Sequence, residues 1–208
     1  MNYNEILQHI WLGLSSSFIG TLPLSMLNLT ILQLTLSNQH RQAVRFSLGA
    51  SVVEFFQIGI TLLGMNMLLT IPHLSTVFAV VSIPILIFLA IKNLKKKAQT
   101  EGVALSTQKA FNQGIVLGFA NVVVYPFWLL WGNVFVQNGW LKTTPEAYFY
   151  FSVAAGIGTF AGFFVFIVLG KILWKRLVQI QVFIDKLIAF AFFGFAAIQF
   201  YTILVKIG

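Results

Sequence analysis

Long apolar runs separated by short polar segments dominate the chain. A bilayer-crossing helix takes about 20 residues, with a range of about 17–25. On that measure the runs predict six spans, at residues 6–36, 46–69, 74–91, 110–136, 147–173 and 187–205. The third is near the lower limit and contains Pro84. The first and fourth exceed one crossing, which leaves room for tilting or breaking. Connections are short, the longest covering 92–109. The expectation is an all-α integral membrane protein, residues 1–208 forming a single membrane domain with no soluble part.

Composition agrees with the pattern. Hydrophobic residues make up 58% of the chain and charged residues 9%, whereas a soluble domain carries about 25% charged residues. The 22 phenylalanines suit lipid-facing helices. A net charge of +8 does not point to nucleic acid, because eleven of the 13 lysines and arginines fall in the connections after the first, third and fifth spans. Only Lys142 and Lys206 lie on the other side. That bias puts the basic connections in the cytoplasm and both termini outside, as a multi-pass protein of the cytoplasmic (inner) membrane. With no cysteine, disulfides, thiol redox chemistry and thiolate metal sites are excluded. The first residues lack the basic region of a signal peptide, so the first apolar segment is expected to remain as a span. Trp140, Tyr148 and Tyr150 read as part of an outer aromatic belt. The connection 171–186 mixes apolar and basic residues and reads equally as an interfacial segment or as a turn between two helix ends.

Two spans carry breaking signals at corresponding places. In the first, Gly20 and Pro23 precede Ser25, Asn28 and Thr30. Pro23 has no N–H and clashes with the preceding turn, so it frees carbonyls near mid-depth. The three polar side chains can rescue backbone groups or meet a ligand. In the fourth, Asn121 and Tyr125 lead to Pro126. Backbone freed at that depth must be buried in protein or line a wet cavity. Two three-helix units starting on opposite sides would form a 3+3 inverted repeat, with the discontinuous first and fourth helices marking a transporter's binding site. Ordinary proline kinks are the alternative. Ala154, Gly158 and Gly162, and likewise Gly49, Gly59 and Gly64, form small-residue ridges for close helix packing.

Glu54 is the acid deep inside an apolar run, where a charge costs roughly 2.5–3.5 kcal/mol on insertion scales. Ala50, Glu54, Gln57 and Thr61 share one helix face, which should point into the bundle. Counted from Phe46, Glu54 lies about 12 Å into the membrane. It can accept a proton, oppose a cationic substrate, or serve as a hydrogen-bonded structural acid.

These motifs resemble the lysine exporter (LysE/RhtB) superfamily of small six-helix exporters. Pro23-Leu-Ser-Met-Leu-Asn28 occupies the place of that family's Pro-Gly-Pro-like break, keeping one proline and no glycine. Arg41, Arg45, Gly49 and Glu54 match its basic loop and Gly-rich second helix with an acid. Tyr125-Pro126 stands where the family's fourth helix has Asn-Pro, and 186–196 with Gly194 matches its last helix. The resemblance implies proton-driven export of amino acids or similar small solutes. The substrate does not carry over, because the substrate-facing motif departs at Leu24, Ser25 and Tyr125.

Other classes have less support. His9, His40 and His73 read as lying at helix ends, away from any intramembrane serine, and no His-Glu-x-x-His helix exists, so no enzyme is expected. A metal-cation carrier would want more acids or histidines inside the spans, and a non-transporting subunit has no visible docking element. The expected site therefore joins Pro23, Ser25, Asn28, Thr30, Asn121, Tyr125 and Pro126 around a small-molecule substrate, with Glu54 and Gln57 coupling to protons. No cofactor, metal or nucleic-acid partner is expected. The surrounding partner is the lipid bilayer, and a small flat bundle allows a homodimer.

Overall fold

Asn2 opens the first helix. Its side chain accepts from the Glu5 N–H at 2.9 Å and Glu5 returns a bond to the Asn2 N–H at 3.2 Å, a capping box. The computed structural model describes residues 1–23, 25–70, 109–121 and 123–207, with scattered positions between 80 and 95. Beyond residue 65 on the third helix and 170 on the last, that description covers only part of the side chains. The helices are α1 (Tyr3–Thr21), α2 (Met26–Leu36), α3 (His40–Thr70), α4 (Ala110–Ala120), α5 (Val124–Gln137) and α6 (Pro145–Ile207). No strand occurs among the described residues.

His40–Met65 and Pro145–Gly170 are long and apolar enough to cross a membrane. Two further spans arise if each bent pair counts once: α1 with α2, bent by 72°, and α4 with α5, bent by 65°. The expected discontinuities in the first and fourth apolar runs are thus observed. Most of the expected third span lies outside the described residues. The expected sixth falls in the C-terminal part of α6, where Phe192 and Ala196 pack with Leu86 and Ala90.

Glycines set how the helices meet. A Cβ at Gly13 would strike the Phe151 carbonyl and approach Ala155, while one at Gly158 would strike the Leu14 carbonyl. Farther along, Gly162 lies on Thr21 and Gly170 on Leu32. Contacts that advance together on both helices make α1–α2 parallel to the first part of α6. Gly49 on Phe111, Gly114 on Phe46, Gly118 on Val53 and Gly132 on Leu62 make α4–α5 parallel to α3 in the same way. Gly156 against Phe55 and Gly59 beside Ser152 run in opposite order, so α3 is antiparallel to α6. The ridge of Ala154, Gly158 and Gly162 packs as its spacing implies. Gly64 departs from that expectation, with nothing within 4 Å of a Cβ there.

Two other expectations change. The connection 171–186 is neither a turn nor a separate segment, for α6 runs helically through it as part of a 63-residue helix. No proline or glycine occurs between Gly170 and Gly194, so nothing local stops the helix. Its length of roughly 95 Å far exceeds a single crossing. Tyr148 does not join a surface belt with Trp140 and Tyr150. It is 2% exposed, in a core with Trp128, Phe151, Phe135 and Leu62.

Tight turns use the residues that tolerate them. Asn38 turns α2 into α3 at φ 59° and Gly139 follows α5 at φ 71°, left-handed values that asparagine and glycine adopt most readily. Gln8 donates to the Trp140 carbonyl at 3.0 Å, and Lys142 pairs with Glu5 at 2.8 Å. These bonds fasten the start of α1 to the α5–α6 connection.

Candidate functional site

The first break is closed by its own side chains. Ser25 is the N-cap of α2, accepting from the Asn28 N–H at 3.3 Å. Asn28 Nδ2 donates to the Thr21 carbonyl and to the Pro23 carbonyl, both at 2.7 Å. One buried amide thus satisfies carbonyls that the end of α1 and the proline leave without helical partners. Asn28 is 1% exposed, and its Oδ1 has no hydrogen-bond partner. A buried acceptor left open costs free energy and is the unfilled polar atom of this break. Thr30 is buried one turn into α2, its hydroxyl donating to the Met26 carbonyl at 2.8 Å, so it lies in the helix rather than at the gap. Pro23 is half-buried.

The second break is less completed. α4 ends with Asn121 as C-cap, its N–H on the Gly118 carbonyl. α5 begins after Val123 with no side-chain cap; the Val124 N–H turns back to the Asn121 carbonyl at 3.3 Å and Pro126 has no N–H, while the helix dipole places partial positive charge at this end. Asn121, Tyr125 and Pro126 are half-buried around it. Pro126 is the third residue of α5, in the first turn, where a missing N–H removes no helical bond. It starts the second half-helix instead of kinking a continuous one, so the fourth run is discontinuous, as expected, and not an ordinary proline kink.

One side chain of α5 reaches the end of α1. A Cβ on Gly20, one residue before the end of α1, would meet the Phe127 ring in the first turn of α5 at 2.8 Å. Gln57, 1% exposed, reaches across from α3 to the Gly118 carbonyl at 3.3 Å. It therefore serves α4 beside its gap, as Asn28 serves α1.

Glu54 sits next to this centre. Ala50, Gln57 and Thr61 on its face are buried, as their spacing implies, and Glu54 itself is half-buried. Its carboxyl faces the Thr159 hydroxyl of α6 and the Trp128 indole of α5. Neither completes a hydrogen bond of full geometry to the carboxyl, for Trp128 Nε1 has no partner and the Thr159 hydroxyl donates to the Ala155 carbonyl at 3.1 Å. Thr159 Oγ1 in turn lies 2.6 Å from Ser17 Oγ of α1. Most serines and threonines here, among them Thr21, Thr35, Ser47, Ser51 and Thr61, bond back to the carbonyl four residues earlier, the usual outcome in an apolar setting. The Ser17–Thr159 bond instead crosses between helices.

Sequence reading missed Thr159, Ser17 and Trp128. Tyr148, Ser152, Ala155 and Thr159 repeat at steps of four, three and four, the same spacing that singled out the Glu54 face, and would have marked this side of α6 as inward. The reading of His9 also changes. It is buried in α1 at 2% exposure, with neither ring nitrogen partnered, rather than lying at a helix end. His73 lies outside the described residues. Two surface clefts lie elsewhere, one of about 160 Å³ lined by Arg45, Lys109 and Asn112, the other apolar, about 460 Å³, between α3 and α6.

Paired broken helices, an acid held among buried polar groups and several apolar spans define a multi-pass membrane protein of the transporter type. The family model described as LysE type translocator matches residues 18–202, and the chain belongs to that family. No curated protein and no solved structure is matched. The family is one of translocators and not of enzymes.

Proposed function

We propose that this protein is a secondary exporter of amino acids or similar small zwitterionic solutes, coupled to protons through Glu54, in the cytoplasmic membrane. The observation that carries the reading is the Gly20–Phe127 contact, because it joins the end of α1 at the first break to the first turn of α5 after the second. The uncapped start of α5, with Asn121 and Tyr125, suits a substrate carboxylate. Asn28 Oδ1 suits an ammonium group. Ser25, Pro23 and Pro126 shape the two gaps, and Thr30 supports the first from one turn into α2. Gln57 and Glu54 link them to α3, and Glu54 takes up and releases the coupling proton.

An inverted repeat supports alternating access. Gly13 stands to Phe151 and Ala155 as Gly114 stands to Phe46 and Ala50. This correspondence relates α1 to α4 and α6 to α3, as expected if the first and fourth spans, and the second and fifth, are equivalent under a two-fold in the membrane plane. Rocking of one half against the other would then open the shared gap to each side in turn.

The test is transport in inside-out vesicles with a panel of the common amino acids, comparing the native chain with Glu54→Gln. Uptake that needs a proton gradient and vanishes in the variant is expected. Native flux untouched by the substitution would remove Glu54 from coupling. No flux of any amino acid would remove this substrate class.

A further inference from the structure

We propose that a basic cleft at the cytoplasmic ends of α3 and α4 binds the phosphate group of an anionic phospholipid. Such a site is independent of the substrate and of the coupling proton proposed above.

The cleft has a volume of about 160 Å³ and is lined by Arg45, Lys109, Ala110, Phe111 and Asn112. Arg45 lies in the second turn of α3, and Lys109 stands immediately before α4. The glycine packing sets their level. Because the Phe46 carbonyl lies on Gly114 and the Phe111 carbonyl on Gly49, the two parallel helices run in a register that brings Arg45 level with Lys109. Two cations from different elements therefore border one opening. A guanidinium offers a planar fork that fits two phosphate oxygens, and an ammonium adds a compact charge. Among the described residues neither Arg45 nor Lys109 is in an ion pair, in contrast to Lys142 with Glu5. The three basic stretches of the chain hold eleven lysines and arginines against two acids, Glu101 and Asp185. The chain thus has little negative charge of its own to offer the cleft.

The opposite end of the bundle supplies the depth. Gly13 on the Phe151 carbonyl corresponds to Gly114 on the Phe46 carbonyl, which pairs Tyr150 with Arg45, Trp11 with Asn112 and Gln8 with Lys109. Trp11 is exposed and Tyr150 half-exposed, and such aromatic side chains settle at the headgroup level of a bilayer. Gln8 is already spent on the Trp140 carbonyl at 3.0 Å. The outer end is therefore neutral and aromatic where the inner end is cationic. The bias of basic residues puts that inner end in the cytoplasm, where the leaflet carries anionic lipid and basic pockets between spans take phosphate headgroups. Past the cleft, α4 exposes Val116 and Phe119, an apolar surface for acyl chains. A free anion would use the cleft alone, whereas a phospholipid uses both.

The absence of cysteine allows a single fluorophore at Val116→Cys, an exposed position one turn beyond Asn112. The labelled protein is placed in phosphatidylcholine vesicles, and quenching is measured with phosphatidylglycerol or phosphatidylcholine carrying a nitroxide on the acyl chain. Phosphatidylglycerol should quench at the lower mole fraction and saturate. Arg45→Gln and Lys109→Gln should each reduce that preference by up to about fivefold, the weight of one basic residue at an anionic surface. Asn112→Asp, which puts a negative charge at an exposed position in the cleft, should remove it as well. Lys92→Gln deletes the same charge outside the cleft and should leave the preference as it is. Equal quenching by the two lipids in the native chain would overturn the site. A loss in Lys92→Gln as large as in Arg45→Gln would replace it with diffuse surface charge. Displacement of the lipid by millimolar inorganic phosphate, but not by chloride at the same ionic strength, would overturn the lipid assignment in favour of a soluble phosphate.

Discussion

Gly49 of α3 and Gly114 of α4 are each seated on the backbone carbonyl of the helix that carries the other, Gly49 against Phe111 and Gly114 against Phe46. No side chain separates the two backbones, so any added carbon must push the helices apart. Gly49→Ala or Gly114→Ala should each destabilise the protein by on the order of 1–3 kcal/mol, as overpacking does. The double substitution should cost less than the sum, because the first already opens the interface. Gly64→Ala and Gly194→Ala, where a Cβ meets nothing within 4 Å, should be neutral or stabilising. Thermal unfolding in detergent reads all five. Equal losses at Gly49 and Gly64 would mean that the close approach is not the cause.

Asn28 predicts a different kind of loss. Asn28→Leu keeps similar volume but leaves the Thr21 and Pro23 carbonyls, now held at 2.7 Å, without donors. Each orphaned acceptor costs about 1–3 kcal/mol, so this variant should melt well below the native protein. Ser25→Ala removes only the cap and should cost about 1 kcal/mol. If Asn28→Leu melts with the native protein, Asn28 does not hold the break together.

The pair Glu5–Lys142 sets a pH dependence at the end of the bundle. The Lys142 ammonium beside Glu5 is the largest influence holding its carboxyl below the ordinary value of 4.5, and the Asn2 amide adds to it. A lowered folded-state value means the stabilisation is fully present above the ordinary pKa and is lost as pH falls through the depressed one. The native melting temperature should therefore drop on the acid side of pH 4.5 more than that of Lys142→Met. The difference should shrink in high salt, because the pair is exposed and screened. A difference that persists at neutral pH but not in acid fits this sign, and the reverse pattern would refute it.

What the sequence reveals here follows the range of each signal. The inward face of Ala50, Gln57 and Thr61 and the two breaks are local, set by helical period and by Pro23, Gly20 and Asn121, so they are readable from the chain. The partners of Glu54 are not. Thr159 is 105 residues away in sequence, and it is the parallel and antiparallel packing of α1, α3 and α6 that brings it to the carboxyl. The continuous helix through 171–186 was hidden for another reason. Lys175, Arg176 and Lys186 lower hydropathy without lowering helix propensity, so an apolar-run criterion ends a span where the backbone does not. Tyr148 shows the same limit, because an aromatic near a helix end is equally suited to the interface and to the core.

Pro126 separates these two levels in one experiment. Its place in the first turn of α5 means that alanine there restores an N–H that has no helical acceptor to reach. The break precedes it, for the Val124 N–H already turns to the Asn121 carbonyl at 3.3 Å and the Phe127 N–H bonds the Val123 carbonyl. Pro126→Ala should therefore leave the 65° bend between α4 and α5 in place and change stability by less than about 1 kcal/mol. Pro23→Ala should behave otherwise. It lies between α1 and α2, and the Asn28 bond to its carbonyl depends on the chain path it enforces. Spin labels at Phe119→Cys and Trp131→Cys, both exposed, read the second bend, and Ile19→Cys with Met26→Cys read the first. A label separation that lengthens toward a straight helix in Pro126→Ala would show that the proline, and not the segment before it, holds the fourth span broken.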